Sequence, residues 1–267
     1  MTLTVLISCM HQKDATIIEK SNIQTDVVVI NQCDENSVST FSFKNLKGRV
    51  CTAKIIKTTE RGLSNSRNMA VKYSEGADIC LLCDDDEYLV DNYEDIILDA
   101  YESVGNDVAM ISFAYEREDK TMPTKEHRLN IYHICRTSSV EITSRRKIIV
   151  DNGIEFDRQL GSGTPNGPGE EIKFLMDIRK KGYKMVYIPS YIGKLLSYDS
   201  QWFKGFTKQY FRNNGWFSHR VFGLYLGYLF VIYQTLHHFP KYKKELSFWD
   251  AFRSANIGFF EKRAIVE

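Results

Sequence analysis

Five short apolar runs in the first 115 residues do most to limit what this chain can fold into. They are LTVLIS (3–8), DVVVIN (26–31), AKIIKT (53–58), ADICLLC (77–83) and DVAMISFAY (107–115). Several are apolar throughout instead of alternating, which is the pattern of strands covered on both faces. Segments of helical spacing separate them. Residues 64–75 carry Met69, Ala70 and Tyr73 and stop before Gly76; residues 92–104 carry Ile96, Ile97 and Tyr101. Strand and helix in alternation predict an α/β fold, a mixed, mainly parallel sheet flanked by helices. Such sheets bind ligands at the carboxyl ends of their strands. With 43% hydrophobic and 13% aromatic residues, the chain has the material for a sizeable core, and extended disorder is not expected.

Past residue 116 the pattern becomes shorter and more polar, with NIYHICR and SVEITS read as paired strands. GSGTPNGPGEE (161–171) has the composition of a mobile loop, and a helix and the strand KMVYIP follow it. The loop is not a dinucleotide fingerprint: its third glycine comes one position late and Pro165 interrupts it. A phosphate-binding GxxxxGK[ST] and a GxSxG elbow are both absent from the sequence. Six scattered cysteines, several inside apolar runs, read as reduced thiols of a cytoplasmic protein. The CLLC pair lacks a partner motif and alternates across a strand, so zinc is discounted. The start MTLTVLISCMHQ has no basic lead and is read as something other than a signal peptide.

Charge divides the chain. Residues 1–200 carry 25 Lys/Arg against 30 Asp/Glu, and residues 201–267 carry ten against four. The expected organisation is an α/β domain over 1–200 and a basic, aromatic, helical extension over 201–267. Within the extension, residues 221–236 hold no charge. They read three ways: a buried or subunit-contacting helix, a helix in a membrane interface between basic flanks, or a short span. Nucleic acid is not an expected partner.

The chemistry-bearing residues fall in three places. LLCDDDEYLVDNY (81–93) sets Asp84, Asp85, Asp86 and Glu87 directly behind a buried strand. In an extended chain Asp84 and Asp86 share a face, and two carboxylates with no cation adjacent in sequence suit Mg²⁺ or Mn²⁺ completed by phosphates and water. The other reading is an acidic helix start, where Glu87 belongs. ERGLSNSRNMA (60–70) puts Arg67 and Asn68 in the early turns of a helix, within reach of the aspartates or of a phosphate. GPGEE opens a helix with Glu170 and Glu171, either complementing the helix dipole or presenting a general base under a closing loop.

Taken in order, the strand ending in CDDD, the RGLSNSRN turn and helix before it, and GEE with GYKMVYIP after it resemble the family 2 glycosyltransferases of the GT-A fold, over roughly residues 2–192. The resemblance implies an inverting transferase that takes its sugar from a nucleotide diphosphate, UDP by default, with Mn²⁺ or Mg²⁺. It implies that Asp84 contacts the ribose or a metal-bound water, Asp85 the donor sugar, and Asp86 the ion. Asp34 corresponds to the acid that holds uracil or ribose, and Arg61 and Arg67 lie near the diphosphate and the acidic cluster. Glu171 takes the place of the family's catalytic aspartate, with Glu170 as the other candidate. No full Q-x-x-R-W element follows; Trp202 or Trp216 is left to stack on an acceptor sugar, and a processive polysaccharide synthase is disfavoured. The acceptor is a glycan or a lipid-linked glycan of cell-surface polysaccharide assembly, reached at the inner face of the membrane through 201–267. The rival expectation is a non-catalytic GT-A-like subunit of a partner transferase, since Glu171 departs from the motif.

Overall fold

The computed structural model describes residues 1–196 and 205–263, so Trp202 lies outside the described residues. In chain order the elements are β1 (Leu3–Met10), α1 (Thr16–Lys20), β2 (Asp26–Gln32), β3 (Ser37–Lys44), β4 (Val50–Thr58), α2 (Leu63–Tyr73), β5 (Ile79–Asp84), β6 (Glu87–Leu89), α3 (Tyr93–Ser103) and β7 (Val108–Glu116). There follow β8 (His127–Arg128), α4 (Ile131–Ile134), β9 (Ile142–Arg145), α5 (Arg146–Asp151), α6 (Glu170–Lys180), β10 (Lys184–Leu195), α7 (Lys208–Tyr242) and α8 (Phe248–Phe260).

The strands form one sheet in the order β3-β4-β2-β1-β5-β9-β7-β10-β6, with β8 against β10. Strands β4, β2, β1, β5, β7 and β10 run the same way; β3, β9, β6 and β8 oppose them. The sheet is mixed and mostly parallel, as the apolar runs predict. Both faces are covered. Leu6, Val28, Ile30 and Leu82 point into one core with Phe174 and Leu175 of α6. Their sequence neighbours Val5, Ile7, Val29 and Leu81 point into the other, with Tyr93 and Ile97 of α3. This is why those runs do not alternate.

Two expectations about local structure are corrected. NIYHICR is not a strand: Asn130 caps α4, its side chain accepting from the His133 amide while the Asn130 amide donates to the His133 ring. That reciprocal cap commits the segment to a helical turn. SVEITS begins as a 3-10 turn at Ser139–Glu141 and becomes strand only at β9. The sequence reading had no counterpart for β3, an edge strand whose residues are almost all exposed.

After the sheet, α7 is interrupted at Gly223, where φ of 75° and ψ of −169° break the helix. The chain doubles back there. A Cβ on Gly227 would lie 2.5 Å from the Ser218 carbonyl oxygen, and the rings of Phe211 and Tyr242 meet at 4.8 Å. Residues 208–222 and 224–242 are thus an antiparallel hairpin, and α8 packs on it through Ala251, Ala255 and Phe259. Trp216, Phe217 and Val221 from the hairpin enter the α6 side of the main core. No helix among the described residues is long and apolar enough to cross a membrane.

Candidate active site

Strand β1 has β2 on one side and β5 on the other, so the chain switches direction of winding at β1. The carboxyl ends of β1 and β5 open a crevice at this switch point, where Ser8 is in register with Asp84. Helix α2 crosses above it, held by the hydrogen bond from Ser66 Oγ to Ser8 Oγ at 2.8 Å.

Arg67, on the same helix, is 2% exposed and has two acidic partners from distant parts of the chain. Its Nη1 donates to Glu170 Oε1 at 2.9 Å, and Nη2 lies 3.2 Å from both oxygens of Asp84. Burial alone would lower the guanidinium pKa; Asp84, Glu170 and Glu171 together raise it. A buried cation between two carboxylates satisfies all three groups, whereas any one alone would be costly there. Ser139 Oγ donates to Asp84 Oδ2 at 3.2 Å.

The tight turn after Asp84 is organised by Glu87, which is fully buried. Its Oε1 accepts the Asp84 amide at 2.6 Å and its Oε2 accepts the Tyr115 hydroxyl at 2.9 Å. Glu87 starts strand β6, so the helix-start role expected for it is corrected: it is the internal brace of the acidic turn. Burial first, and then Asp84, hold its carboxyl well above the usual range, which favours the protonated form. The brace leaves Asp85 exposed and Asp86 half-buried. Both carboxyls are raised, by burial and then by the charge of Asp84.

Among the described residues, no three His, Cys, Asp or Glu side chains are disposed to hold a metal ion unaided. Asp84 is engaged by Arg67, and Asp86 has no cation at ion-pair distance among those residues. One or two carboxylates beside a diphosphate is the donor set that Mg²⁺ or Mn²⁺ accepts when phosphate oxygens and waters complete its shell. The residues therefore fit an ion that arrives with its ligand, and do not fit a closed protein cage.

Glu170 and Glu171 open α6 behind the glycine-rich loop. That loop is anchored, not free. The Leu63 amide donates to the Ser162 carbonyl at 3.0 Å, Ser64 Oγ to the Leu160 carbonyl at 2.8 Å, and Arg263 Nη1 to Asn166 Oδ1 at 2.7 Å. Gly169 has φ of 118°, and a Cβ there would stand 2.3 Å from the Phe217 ring. Only glycine permits both the backbone and the contact. Glu170 turns inward, its second oxygen accepting the Gly169 amide at 3.1 Å. Glu171, its carboxyl beside that of Glu170, lines a cavity of about 920 Å³ between α4, the loop and the hairpin. Burial first and the neighbouring Glu170 second push its carboxyl up to about 8, against the pull of Arg67.

The remaining predicted residues fall at varying distances from this centre. Asp34 and Arg61 meet at 2.7 Å as an exposed pair beyond β2, where Arg61 also donates to the Cys33 carbonyl at 2.9 Å. Asn68 is occupied with backbone: it donates to the Phe156 carbonyl at 2.8 Å and accepts the Phe156 amide at 2.7 Å. Trp216 is buried, with the guanidiniums of Arg220 and Arg263 centred 5.2 and 5.1 Å from its ring, and is a packing residue. The sequence reading did not single out Ser139, Tyr115 or the cavity walls.

With this geometry in hand, solved structures can be compared. The chain aligns over 97% of its length with 80% of S. aureus TarS 1–349 in complex with UDP-GlcNAc, at a TM-score of 0.62 and 14% identity. TarS 1–349 in complex with UDP gives 0.58 at 15% identity, covering 96% of this chain and 81% of that one. GalNAc-T7 with UDP, GalNAc and Mn²⁺ gives 0.50 at 13% identity, covering 79% of this chain and 47% of that one. The fold is that of the GT-A glycosyltransferases. No protein-family model and no curated protein sequence matches the chain. In the GT-A frame, the crevice between β1 and β5 and the cavity at Glu171 lie on either side of the buried Arg67 cluster.

Proposed function

We propose that this chain is a glycosyltransferase that moves a sugar from a nucleotide-diphosphate sugar, UDP-linked, to a hydroxyl of a glycan or lipid-linked acceptor, with inversion. The observation that carries the reading is Arg67, which ties the acidic turn at the switch point to Glu170, the neighbour of Glu171 at the second cavity. Asp34, Arg61 and Asp84 to Asp86 line the donor side, and Glu171 faces the acceptor side. Asp86, with Asp84, would hold Mn²⁺ or Mg²⁺. When bound, the ion supplies positive charge beside the departing diphosphate.

The chain's own groups do the rest. Glu171 in its carboxylate form takes the proton of the acceptor hydroxyl as that oxygen bonds to the anomeric carbon. The bond from that carbon to the diphosphate breaks on the opposite side, and the diphosphate leaves with the electron pair. Arg67 pairs with Glu170, and burial together with the neighbouring Glu170 makes Glu171 a stronger base than an ordinary carboxylate. The anchored loop and α4 wall the reaction from water. We place the protein in cell-surface polysaccharide assembly, with 1–200 as the catalytic domain and 201–267 as the extension that meets a membrane face or a second subunit.

The test is calorimetry with UDP. Binding is expected with Mn²⁺ present, and is expected to be lost on adding EDTA or in Asp86→Ala. Undiminished binding without metal would remove the ion from the proposal. UDP binding with no sugar transfer to any of a broad acceptor panel would favour the non-catalytic subunit.

A further inference from the structure

A further cavity, of about 460 Å³, adjoins the one at Glu171, and Tyr132 and Arg136 line both. Its walls are Ser112 of β7, Tyr187 of β10, the 120–125 segment, β8 and α4, and include neither the acidic turn nor Glu171. Lys120, Lys125 and Arg136 stand in this lining against one acid, Glu141. Glu141 is 2% exposed, and its charge is met within the protein. Lys120 Nζ donates to its Oε1 at 2.5 Å, and Arg117 Nη1 lies 3.5 Å from the same oxygen. Lys120 also donates to the Arg136 carbonyl at 2.6 Å, so one of its three N–H groups is left over. Neither Lys125 nor Arg136 has a carboxylate partner among the described residues; the Arg136 guanidinium is centred 5.4 Å from the Tyr132 ring. Two histidines complete the wall. His127 Nδ1 donates to the Lys125 carbonyl at 3.0 Å, and His133 Nδ1 is spent on the backbone of Arg128 and Asn130, at 3.2 and 3.4 Å. Nε2 of each ring has no partner among the described residues. The His127 ring packs on those of His133 and Tyr187, with centroids 4.2 and 5.0 Å apart, so ring faces are used inside the wall.

The surplus charge here is positive. A metal ion would meet three cations, and no third metal-binding side chain joins the two rings. An apolar ligand would strand the free N–H groups. A carboxylate brings one charge to them, whereas a phosphate monoester brings about 1.5 to 2 charges and three acceptor oxygens. The free imidazole nitrogens and the hydroxyls of Thr121 and Thr124 in the lining suit hydroxyl groups beside that phosphate. The volume lies within the range of small-ligand sites. We infer that this cavity is a separate binding site for a sugar phosphate, with the phosphate at Lys125 and Arg136 and the sugar hydroxyls at His127 and His133. The site uses neither the crevice at the acidic turn nor Glu171 as a base, so it stands apart from the transferase reading.

The experiment titrates the full chain with glucose 1-phosphate by calorimetry, beside inorganic phosphate, glucose and glucuronate. Each titration is run in Mn²⁺, with and without saturating UDP. Saturable binding of glucose 1-phosphate at one site is expected, about tenfold or more tighter than any of the three controls. UDP is expected to change that affinity less than about twofold, because the two ligands occupy different cavities. Arg136→Ala, at an exposed side chain whose carbonyl still accepts Lys120, is expected to weaken binding about tenfold. Lys125→Ala, also exposed, is expected to weaken it about fivefold. Lys181→Ala removes an exposed cation at the end of α6, outside the cavity, and is expected to change binding less than about twofold. No saturable binding, equal binding of inorganic phosphate, tighter binding of glucuronate, displacement by UDP, or equal losses in Arg136→Ala and Lys181→Ala would each overturn the inference. Glucose 1-phosphate binding by a protein that binds no UDP would overturn the transferase reading and leave this site standing; the converse would overturn the site alone.

Discussion

In the sheet, Val5, Ile7, Val27 and Val29 lie under one layer of helices and Leu6, Val28 and Ile30 under the other, and all are buried. In the hairpin, Tyr225, Leu226, Leu229 and Leu236 sit on the outside of their helix, each at least 52% exposed. The two regions are similarly apolar in sequence. What separates them is covering: a sheet strand has two faces that helices can close, while the hairpin helix has one face on the cavity and the core and another with none of the described residues upon it. Apolar content alone therefore points to burial in the first region and leaves the second open between burial, a subunit contact and a membrane interface.

The contrast can be broken at four points. The largest effect is expected where the regions meet. Glu171→Gln should lower sugar transfer by about 10²- to 10⁴-fold, the usual contribution of a general base, while leaving UDP affinity in place. The rate of the unaltered protein should rise with pH through a midpoint near 8 and level off above it. Because the folded pKa of this carboxyl is raised to about 8, the native state holds a proton that the unfolded chain, at the usual carboxylate pKa, has already released. Its stabilising contribution is then complete below the unfolded pKa and is lost as pH rises through about 8. Thermal melts across pH 5 to 9 should show that decline, and Glu171→Gln should flatten it.

Next comes the buried cluster. Arg67→Met leaves Asp84 and Glu170 facing each other without a cation, at an expected cost of about 3–5 kcal/mol in urea unfolding. Adding Glu170→Gln should recover part of it, since the two sites share one interaction. Removing the brace by Glu87→Ala strands the Asp84 amide and the Tyr115 hydroxyl, for about 2–3 kcal/mol, with Glu87→Gln costing less. The smallest effect belongs to the outer face of the hairpin, where Leu226→Ala should stay within about 0.5 kcal/mol of the parent. A large loss there would mean that the exposed face is covered by another copy or partner in solution.

Much of the sheet was legible because its strands are apolar on both sides, a pattern that few other arrangements produce. β3 was not, since an exposed edge strand carries little apolar signal. α4 was misread because its apolar residues outweighed the cap; Asn130 followed at three positions by His133 was the signal that could have found it. The residue types of the site could be picked out by spacing, but their relations could not. Nothing in the distance from 67 to 84 to 170 says that one guanidinium stands between two acids. Glu87 looked like a continuation of the acidic row, and only its burial beside Tyr115 distinguishes it. The second cavity had no sequence signature because three separated segments build it.

The contact of Gly169 with Phe217 has a further consequence. It fixes the first turn of α6, and so the aim of Glu171, against a ring that belongs to the hairpin. The glycine-rich loop and the wall of the second cavity are one mechanical part, so the hairpin is not an exchangeable module. A graft of another hairpin onto this sheet would have to bring a matching aromatic edge at position 217, or Glu171 would lose its bearing even with Arg67 and the acidic turn intact.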